Sequence, residues 1–499
     1  MKTLNKAVVV IMALALLLTA CAGGGSSTVA PSSNASASNA APSGDTATAG
    51  EVEKPKEMYL FIDVTPEIED GQKEIWQLLS DMQGINYRVE KPPHAEYPQK
   101  LSVQFLSNDI PDIVEVSSND YMSYARQGVF HPMKSLIDNS DVLAGVPQDM
   151  LDAVTLQGEI YGMQKEIGNG SLTYLRGDWM EEMGAEMPKT FEEYLDLLRR
   201  FRDEKGATPL IYAGNQNNIN GLALYLPDWF QGYNADFNQT ESGEWVDGFA
   251  QPGMVDVISR LASAYQEGLI DIDVFTLSTS DARSRYYTGT VGAFPYWSGK
   301  WNQNINREIQ KNIPEAYAVA MPAFEGVTFV NRVAPLYAMP VLGRNTPEQN
   351  FKYFYEVIFD GAEGQLWATW GGEGTTWENV NGELKPLPKP SDPNTPLETP
   401  QKPLIEATLA FIPMAVDPFR FTDPVYESTE IFFASAKTPT LIPPVESYIR
   451  NVAAIEMLRM ELISRAMKGE ITPDAAVEQY KASMAAFESD KILAELAEF

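Results

Sequence analysis

Met58-Tyr59-Leu60-Phe61-Ile62 is a run of large apolar side chains, which predicts a buried β-strand. The apolar residues that follow recur every three or four positions, as on one face of a helix: Ile75, Leu78, Leu79 and Met82. Alternation at residues 85–89 predicts a second strand, a helical stretch follows near residues 101–105, and residues 111–116 predict a third strand. Strand, helix, strand, helix, strand is the pattern of a parallel sheet built from βαβ units. The sequence therefore predicts an α/β lobe in this region.

The N-terminus has the features of an export signal. Two lysines precede an unbroken apolar stretch at residues 7–18, which is shorter than the roughly 20 residues that a membrane-spanning helix needs. Leu18-Thr19-Ala20-Cys21 resembles a bacterial lipobox, in which the cysteine is lipidated and becomes the mature N-terminus. An ordinary secretory signal is the alternative, but Cys21 is the only cysteine, and an unpaired thiol is uncommon in an exported protein. We therefore predict residues 1–20 as a signal peptide and Cys21 as the lipidation site.

Residues 21–56 are mostly small or polar and contain almost no large apolar side chain. Such a segment cannot bury a core, so we expect a disordered tether of about 30 Å between the lipid and the folded protein. No other long apolar run occurs in the sequence, which places the chain from residue 57 onward outside the cell membrane. We expect the protein to be held by its lipid on the outer face of the cytoplasmic membrane.

The charge of the chain argues against some classes of partner. It has 68 acidic and 37 basic residues, for a formal net charge of −31, whereas nucleic-acid binding depends on Lys and Arg neutralising phosphates. A solvated acidic surface that keeps an exported protein soluble is a sufficient explanation. With 499 residues, 44% of them apolar, the chain can fill the cores of two or three domains without disulfides.

Helix signals dominate the second half of the chain. Thr190-Phe191-Glu192-Glu193 and Thr346-Pro347-Glu348-Gln349 have the spacing of capping boxes, and Thr472-Pro473 begins a third predicted helix. Apolar residues follow each of these starts at helical spacing. Residues 381–400 are rich in proline, which indicates a long surface loop. These signals predict a second lobe with more helix than sheet.

Several short segments, spread over residues 57–499, occur in an order that is known from one family. They are Asn108–Val114, Gln127–Met133, Leu172–Trp179 with Met187–Tyr194, Tyr287–Phe294, and Glu363–Leu366 with Trp370–Gly374. In this order they resemble the extracellular solute-binding proteins of family 1, and the last pair resembles the lipoprotein branch found in Gram-positive bacteria. One departure is visible, because Pro295-Tyr296 precede Trp297 where the family usually has small residues.

The resemblance implies an α/β fold of the periplasmic-binding-protein type, with two lobes and a ligand cleft between them. The N-terminal lobe would comprise residues 57–167 plus 288–343, and the helix-rich C-terminal lobe residues 168–287 plus 344–499. The chain would cross between the lobes near residues 165–170, 286–290 and 341–346.

The resemblance also implies partners. Family members deliver a small-molecule ligand to the transmembrane permease subunits of an ABC importer. The ATPase that drives import is a separate chain, in agreement with the lack of a phosphate-binding G-x-x-x-x-G-K-S/T motif in this sequence. We expect a monomer that binds a mono- or oligosaccharide, needs no cofactor and contacts no nucleic acid.

Aromatic residues in predicted loops are candidates for contacting a sugar, because sugars present apolar C–H faces. We favour Trp297 for the cleft, because it follows the strand after which the family places a stacking residue. Trp229, Trp301 and Trp370 are further candidates. Packing in the core or on the surface is the alternative for each of the three.

The polar candidates for binding sugar hydroxyl groups are Asp63, Asn119, Asn169 and Asp228. Asp63 and Asn119 follow predicted strands, at the edge where open α/β sheets bind ligands. Asn169 lies near a predicted crossing, and Asp228 stands beside Trp229. Helix capping by Ser118 or Asn119 and a simple turn around Asn169 are the alternatives.

Motifs for catalysis are missing from the sequence. Neither of the two histidines belongs to a metal-ligand spacing such as H-E-x-x-H, and no G-x-S-x-G elbow occurs. We therefore expect a binding protein without catalytic residues or a bound metal. A peptide receptor of an ABC importer and a surface glycoside hydrolase are the alternatives, and a hydrolase needs two carboxylates at a defined separation in the cleft.

Overall fold

The computed structural model describes residues 52–63, 73–93, 96–214, 218–389, 393–394, 396–397, 399–415, 417–439 and 441–498. The predicted signal peptide, the predicted lipidation site Cys21 and most of the predicted tether lie outside these residues.

The described residues form short strands and a larger number of helical residues. The strands are β1 (Glu57–Phe61), β2 (Asn86–Glu90), β3 (Ile113–Val116), β4 (Thr155–Leu156), β5 (Glu159–Ile160), β6 (Gly162–Gln164), β7 (Ser171–Arg176), β8 (Thr208–Leu210), β9 (Phe237–Gln239), β10 (Trp245–Asp247), β11 (Val291–Trp297), β12 (Ala318–Ala320), β13 (Phe329–Val330), β14 (Leu336–Ala338), β15 (Trp377–Val380), β16 (Glu383–Pro386) and β17 (Ala436–Lys437). The α-helices are α1 (Lys73–Gln83), α2 (Tyr97–Gln104), α3 (Ser118–Arg126), α4 (Lys134–Asp138), α5 (Gln148–Ala153), α6 (Gly177–Met183), α7 (Phe191–Lys205), α8 (Ile219–Tyr225), α9 (Pro227–Phe230), α10 (Gly253–Gln266), α11 (Thr279–Tyr287), α12 (Lys300–Gln310), α13 (Pro347–Asn350), α14 (Glu356–Ile358), α15 (Glu363–Trp370), α16 (Asp423–Phe433), α17 (Glu446–Met467), α18 (Pro473–Met484) and α19 (Ser489–Leu496).

The first sheet has the strand order β2-β1-β3-β14-β6. β2, β1 and β3 run parallel, with α1 and α2 between them in the chain, which confirms the βαβ pattern predicted for residues 58–116. β14 runs antiparallel to both β3 and β6. The chain therefore leaves β6 at the same edge of the sheet at which β1 and β3 end. At that edge the Lys165 ammonium lies 2.8 Å from the Glu115 carboxylate.

The second sheet has the strand order β12-β7-β11-β8. β7 is central, with β11 and β12 flanking it in antiparallel register, and every one of its residues is buried. β8 continues the sheet in parallel with β11. Helices such as α7, α10, α17 and α18 supply much of the apolar core of this lobe, which confirms the predicted richness in helix.

The predicted helix starts occur where the sequence places them. Thr190 Oγ1 accepts a hydrogen bond from Glu193 N at 3.2 Å and begins α7, but the Glu193 carboxylate accepts from Lys189 N instead of closing the box on Thr190. The box formed by Thr346 and Gln349 is complete at the start of α13. Thr472 caps α18 through a single hydrogen bond, which its side chain accepts from Ala475 N.

Two sets of buried residues define two lobes. The core around the first sheet comes from residues 58–163, 333–368 and 404–405. The cores around the second sheet come from residues 172–329 and 432–496. An α/β fold of two lobes, as predicted, is the result.

The predicted division of the chain between the lobes is corrected in two places. Residues 288–343 do not lie wholly in the N-terminal lobe, because β11 and β12 both pair with β7 in the second sheet. Residues 344–499 do not lie wholly in the C-terminal lobe, because residues 351–368 pack on the first sheet through side chains such as Phe354 and Trp367.

The first two crossings run side by side. Residues 165–170 lead from β6 to β7, and residues 331–335 lead from β13 to β14, with Asn169 and Arg332 paired in an antiparallel bridge. A Cβ atom on Gly170 would lie 2.1 Å from the Val330 carbonyl oxygen, so only glycine allows this close approach. The Leu409 carbonyl oxygen accepts a hydrogen bond from Ile167 N at 2.8 Å, so the chain that follows residues 404–405 of the first core also lies beside these segments.

The other two predicted crossings are wrong. Tyr286 and Val291 are buried in the core of the second lobe, so the chain does not leave that lobe near residues 286–290. The backbone N–H groups of Arg344 and Asn345 both donate to the Asp112 carboxylate, at 2.8 and 2.9 Å, which keeps residues 341–346 on the first lobe.

Candidate ligand-binding site

A cavity of about 590 Å³ lies between the lobes, beside the crossing segments 165–170 and 331–335. Its wall has three parts. The crossing segments contribute Glu166, Asn169 and Arg332, and the second lobe contributes the end of β11 with the first turns of α12. The third part comes from Lys389 and residues between 397 and 409. We call this space the interlobe cavity.

Trp297 ends β11 and lies in the wall of the interlobe cavity, partly buried. Its indole N–H donates to the Tyr225 hydroxyl at 3.2 Å, and its carbonyl oxygen accepts from the Tyr174 hydroxyl at 2.8 Å. The guanidinium of Arg332 lies over the indole ring, 4.7 Å from its centre. These contacts hold the ring in one orientation at the cavity.

Trp301 lies one helical turn further on, near the start of α12, and also lines the interlobe cavity. Its ring meets Tyr296 edge-on, with 4.9 Å between ring centres, and Arg283 lies 5.1 Å from the ring. The side chain therefore packs against its own lobe while part of it faces the cavity. The packing that the sequence offers as the alternative for Trp301 is present, and the residue also lines the cavity.

Three polar atoms of the cavity wall are buried and lack a hydrogen-bond partner within the described part of the chain: Gln303 Oε1, Glu406 Oε1 and Thr408 Oγ1. The side chains of Gln303 and Glu406 are each 7% exposed. Leaving a buried polar atom without a partner costs about 1–3 kcal/mol. These atoms are covered in this arrangement, so hydroxyl groups of a solute would supply the missing donors once the side chains turn toward the cavity.

Lys402 lies between two carboxylates of the wall, with its Nζ atom 3.5 Å from an oxygen of Glu166 and 3.5 Å from one of Glu406. Burial disfavours the charged form of Lys402, but the two carboxylates outweigh burial and raise its pKa. Burial also disfavours the charged form of Glu166, yet Lys402, Lys165 and the backbone N–H of Glu406 lower its pKa overall. Lys402 and Glu166 thus each favour the charged form of the other in this part of the wall.

Asn169 lies in the wall of the interlobe cavity, as a residue of the first crossing segment. Its Oδ1 atom accepts from Gly170 N at 2.8 Å and from the Ser298 hydroxyl. Residues 168–170 form no turn, because Asn169 pairs with Arg332 in an antiparallel bridge, so the turn that the sequence offers as the alternative is not found. Asn169 joins the crossing segment to the end of β11, where Trp297 lies.

Asp63 and Asn119 are the polar candidates near the first sheet. Asp63 does not line the cavity, and the side chain of Asn119 is outside the described residues. Asp63 follows β1, and its backbone N–H donates to the Glu115 carboxylate at 3.2 Å. Asn119 lies within α3, but its side chain is outside the described residues. The residue that caps α3 is Ser117, whose hydroxyl accepts from Asp120 N at 3.2 Å, so the cap lies one residue before the predicted Ser118.

Three predicted contacts are corrected, because their side chains lie in the protein interior. Trp229 is fully buried in the second lobe, edge-on to Phe191. Asp228 beside it is also fully buried, and burial raises the pKa of its carboxyl to about 7. Trp370 is 1% exposed and packs on Phe419 and Phe421. None of these side chains lines the interlobe cavity.

The cavity contains functional groups that the sequence reasoning did not single out: Glu166, Lys300, Gln303, Arg332, Lys402 and Glu406. Lys402 and Glu406 follow the proline-rich segment 381–400, which was predicted as a surface loop. In the structure this segment includes β16 and then runs to the cavity at residue 397. Polar residues in irregular segments have no periodicity, so only the fold brings them together.

Residues 81–330, half of the chain, match the family described as bacterial extracellular solute-binding protein. The chain belongs to this family. The match includes β2, β3 and β6 of the first sheet, all four strands of the second sheet, the first crossing segment and the candidate Trp297. It confirms the resemblance seen in the sequence.

Two relatives of this solute-binding protein align over part of their length. Lipoprotein LipO of Bacillus subtilis is 20% identical over 242 residues, which are 46% of this chain and 47% of LipO. The fructooligosaccharide ABC transporter substrate-binding protein FusA of Streptococcus pneumoniae is 26% identical over 127 residues, 22% of this chain and 24% of FusA. The chain thus spans less than half the length of either relative.

Solved structures confirm the fold of this solute-binding protein. The crystal structure of the N-glycan transport solute-binding protein NgtS from Streptococcus pneumoniae superposes with a TM-score of 0.63 at 16% identity. The superposition covers 89% of this chain and 98% of NgtS. The two-lobe α/β architecture is therefore common to both proteins.

The described residues include neither a membrane-spanning helix nor a cluster of metal ligands. Among the residues described, no helix has the length and apolar character needed to cross a membrane. Over the same ranges, no group of three or more His, Cys, Asp or Glu side chains is placed to hold a metal ion.

Proposed function

We propose that this solute-binding protein captures a carbohydrate in the interlobe cavity and delivers it unaltered to an ABC importer. The observation that carries the proposal is the wall of the cavity. It presents the rings of Trp297 and Trp301 together with unpartnered acceptor atoms of Gln303, Glu406 and Thr408. Aromatic rings suit the C–H faces of sugars, and fixed polar atoms suit their hydroxyl groups.

The names of two similar proteins support this class of ligand. FusA is a fructooligosaccharide-binding component of an ABC transporter, and NgtS is a solute-binding protein of N-glycan transport. Both are carbohydrate receptors rather than peptide receptors, which favours the first of the sequence-based alternatives for this chain.

The mechanism in this proposal is closure of the two lobes on the ligand. The cavity wall draws on both lobes and on the crossing segments, so a solute that touches all three parts favours the closed arrangement. A ligand shifts such an equilibrium only through contacts that are stronger in the closed state. The permease subunits of the importer would recognise that closed state.

A binding role also fits the carboxylates of the cavity better than glycoside hydrolysis does. A glycosidase needs a general acid whose pKa is raised so that it holds a proton near neutral pH. Lys402 and Lys165 instead lower the pKa of Glu166. Glu166 is thus suited to accept hydrogen bonds from hydroxyl groups, not to donate a proton to a leaving group.

The proposal includes a lipid anchor at Cys21, with residues 1–20 removed and the folded lobes outside the cytoplasmic membrane. The relative LipO is itself a lipoprotein, which supports this placement. Replacing Cys21 with Ala should release the exported protein from the membrane fraction and abolish labelling by a fatty-acid analogue. Unchanged membrane attachment of the variant would contradict the anchor without affecting the proposal for the cavity.

The experiment that tests the function is a binding screen of the purified protein. Thermal-shift measurements against mono- and oligosaccharides, amino acids and short peptides would be followed by calorimetry on the compounds that stabilise it. We expect saturable binding of a saccharide and no cleavage products after long incubation. Binding of peptides but no saccharide would overturn the carbohydrate proposal, and release of shorter sugars would replace the receptor by an enzyme.

A further inference from the structure

The interlobe cavity differs in charge from the rest of the molecule. Its wall carries five basic and three acidic side chains, although the chain as a whole has a net charge of −31. An excess of positive charge in a cleft, on a strongly acidic protein, is a local feature that needs its own explanation. Such a cleft attracts anions, because its low-dielectric walls concentrate the field of the charges that line it.

Some of these basic side chains are neutralised within the wall. Lys402 pairs with Glu166 and Glu406, as described above, and the Arg307 Nε atom lies 3.3 Å from the Glu308 carboxylate. These pairs use all three carboxylates of the wall. They leave other cations without a carboxylate partner.

Arg332 and Lys300 are two of these cations. Within the described part of the chain neither side chain forms a salt bridge. Arg332 contacts the ring of Trp297 instead, and Lys300 lies 5.4 Å from the centre of the Phe421 ring. A cation interacts more weakly with an aromatic ring than with a carboxylate, because a carboxylate can accept two hydrogen bonds from one guanidinium.

The surroundings of these two cations favour an anion. Arg332 is exposed to water inside the cavity, yet protein lies around it, and desolvation lowers its pKa. Desolvation also lowers the pKa of Lys300, which begins α12. α12 has 11 residues, and its N-cap Gly299 has no side chain to cap the first turn, whose positive dipole end lies at the cavity. A negative group placed here would restore the interactions that desolvation removes.

Acceptor atoms lie in the same wall. Gln303 Oε1 and Glu406 Oε1 are buried, lack partners among the described residues and accept hydrogen bonds only, as neutral amide oxygen and carboxylate oxygen respectively. They require donors such as hydroxyl groups. The wall is therefore complementary to a molecule that carries both hydroxyl donors and a negative charge.

We propose that the saccharide bound by this protein is acidic and carries a carboxylate that pairs with Arg332 and Lys300. This inference rests on the proposed carbohydrate function and adds the charge of the ligand to it. The carboxylate lies beside the ring of Trp297, because Arg332 is in contact with that ring. The sugar hydroxyls donate to Gln303 and Glu406.

The test compares matched pairs of saccharides by calorimetry on the purified protein. Each pair consists of a uronic-acid oligosaccharide, made of galacturonate, glucuronate, mannuronate or guluronate, and its fully methyl-esterified form, which has the same ring and no charge. We expect the tightest ligand of the panel to be an acid, and its ester to bind at least about tenfold more weakly. Tighter binding of a neutral saccharide, or equal binding of acid and ester, would overturn the inference and leave the carbohydrate function standing. Binding of no saccharide of either kind would end both proposals.

A variant assigns the charge preference to a residue. Arg332→Gln should reduce affinity for the acidic saccharide at least about tenfold, while affinity for its ester changes less than about threefold. Arg465→Gln, which removes the same charge from an exposed site on α17, should change neither. An equal loss for acid and ester in Arg332→Gln would show that Arg332 only supports Trp297, and would overturn its assigned role.

Discussion

The guanidinium carbon of Arg332 lies 4.7 Å from the centre of the Trp297 ring. Arg332 belongs to the crossing segment 331–335, and Trp297 ends β11 of the second lobe. The segment that connects the lobes therefore touches the aromatic side chain that we assign to the ligand. In the proposed closure a movement of the lobes would reach the ring through that contact, and a ring that is already oriented loses less entropy on binding.

Replacing Trp297 with Ala should weaken saccharide binding by about 2–3 kcal/mol, or roughly 30- to 150-fold, because it removes an aromatic surface that is fixed before the ligand arrives. Since the ring is only partly buried, the melting temperature should change little. Calorimetry and thermal melting measure the two effects separately. Trp229→Ala is the contrasting variant, since its ring is fully buried: it should lower stability by about 3–5 kcal/mol and leave the affinity of the folded protein intact. Unchanged affinity in Trp297→Ala would remove this residue from the site.

Replacing Gly170 with Ala should destabilise the protein by about 1–3 kcal/mol and weaken ligand binding. A Cβ atom here would lie 2.1 Å from the Val330 carbonyl oxygen and 2.8 Å from the Phe432 ring, so the two crossing segments would have to separate. The Gly170 carbonyl oxygen also accepts from Ser298 N at 3.0 Å, which transmits the shift to the cavity wall. Urea denaturation and calorimetry measure both effects.

Gly145→Ala is the control for the crossing segment, because a Cβ atom at Gly145 meets no other atom within 4 Å. Its stability should stay within about 0.5 kcal/mol of the parent protein. Similar behaviour of the two variants would mean that the close approach at Gly170 does not constrain the lobes.

The sequence predicted those parts of the fold that depend on local pattern. The strands and helices of residues 58–116 follow from apolar periodicity, and α7, α13 and α18 follow from threonine caps. The predicted division of the chain between the lobes was wrong in two places, because it depends on strand pairing. β11 is an apolar strand that fits either sheet, and only its antiparallel register with β7, more than 100 residues earlier in the chain, places it in the second.

The sequence predicted only part of the candidate site, because the site also depends on contacts between distant parts of the chain. Trp297, Trp301 and Asn169 line one cavity and were each chosen from the sequence. Arg332 and Glu406 were missed because no motif marks them. Glu406 reaches the cavity through a hydrogen bond from its backbone N–H to Glu166, 240 residues away in the chain. Trp229 was misplaced because aromatic clusters fill cores as readily as clefts.

Replacing Arg459 with Met should destabilise the second lobe by about 3–5 kcal/mol, because it leaves buried carboxylates without their counter-charge. The Arg459 guanidinium lies 2.7 Å from Asp236, 2.7 Å from Glu456 and 3.0 Å from Asp247, and its side chain is 0% exposed. Urea denaturation at neutral pH measures the loss.

Arg465→Met is the matched control for Arg459, since it lies two turns further along α17 with its side chain 35% exposed and pairs with Glu461. Exposed ion pairs contribute about 0–1 kcal/mol, so this variant should remain close to the parent protein. Equal losses in the two variants would contradict the role of the buried network.

Asp228 should make stability fall as the pH rises from about 4 to about 7. Its carboxyl is fully buried beside Thr173, whose hydroxyl donates to Oδ2 at 2.5 Å, and burial raises its pKa to about 7. Between the ordinary pKa of an aspartate and this value, the folded protein retains a proton that the unfolded chain releases, so raising the pH favours unfolding. The free energy of unfolding falls by roughly 4 kcal/mol in total, and this loss is complete above about pH 7.

Asp228→Asn removes this titration, because the amide resembles the protonated acid in shape and stays neutral at every pH. Relative to the parent protein, the variant should gain stability steadily as the pH increases from 5 to about 8, as measured by urea denaturation at several pH values. Glu241→Gln, an exposed carboxyl in a turn, should follow the parent protein at every pH. A constant difference between Asp228→Asn and the parent across this range would mean that Asp228 is already ionised in the folded protein at pH 5. Its buried environment would then have to contain a compensating charge that the geometry around Thr173 does not provide.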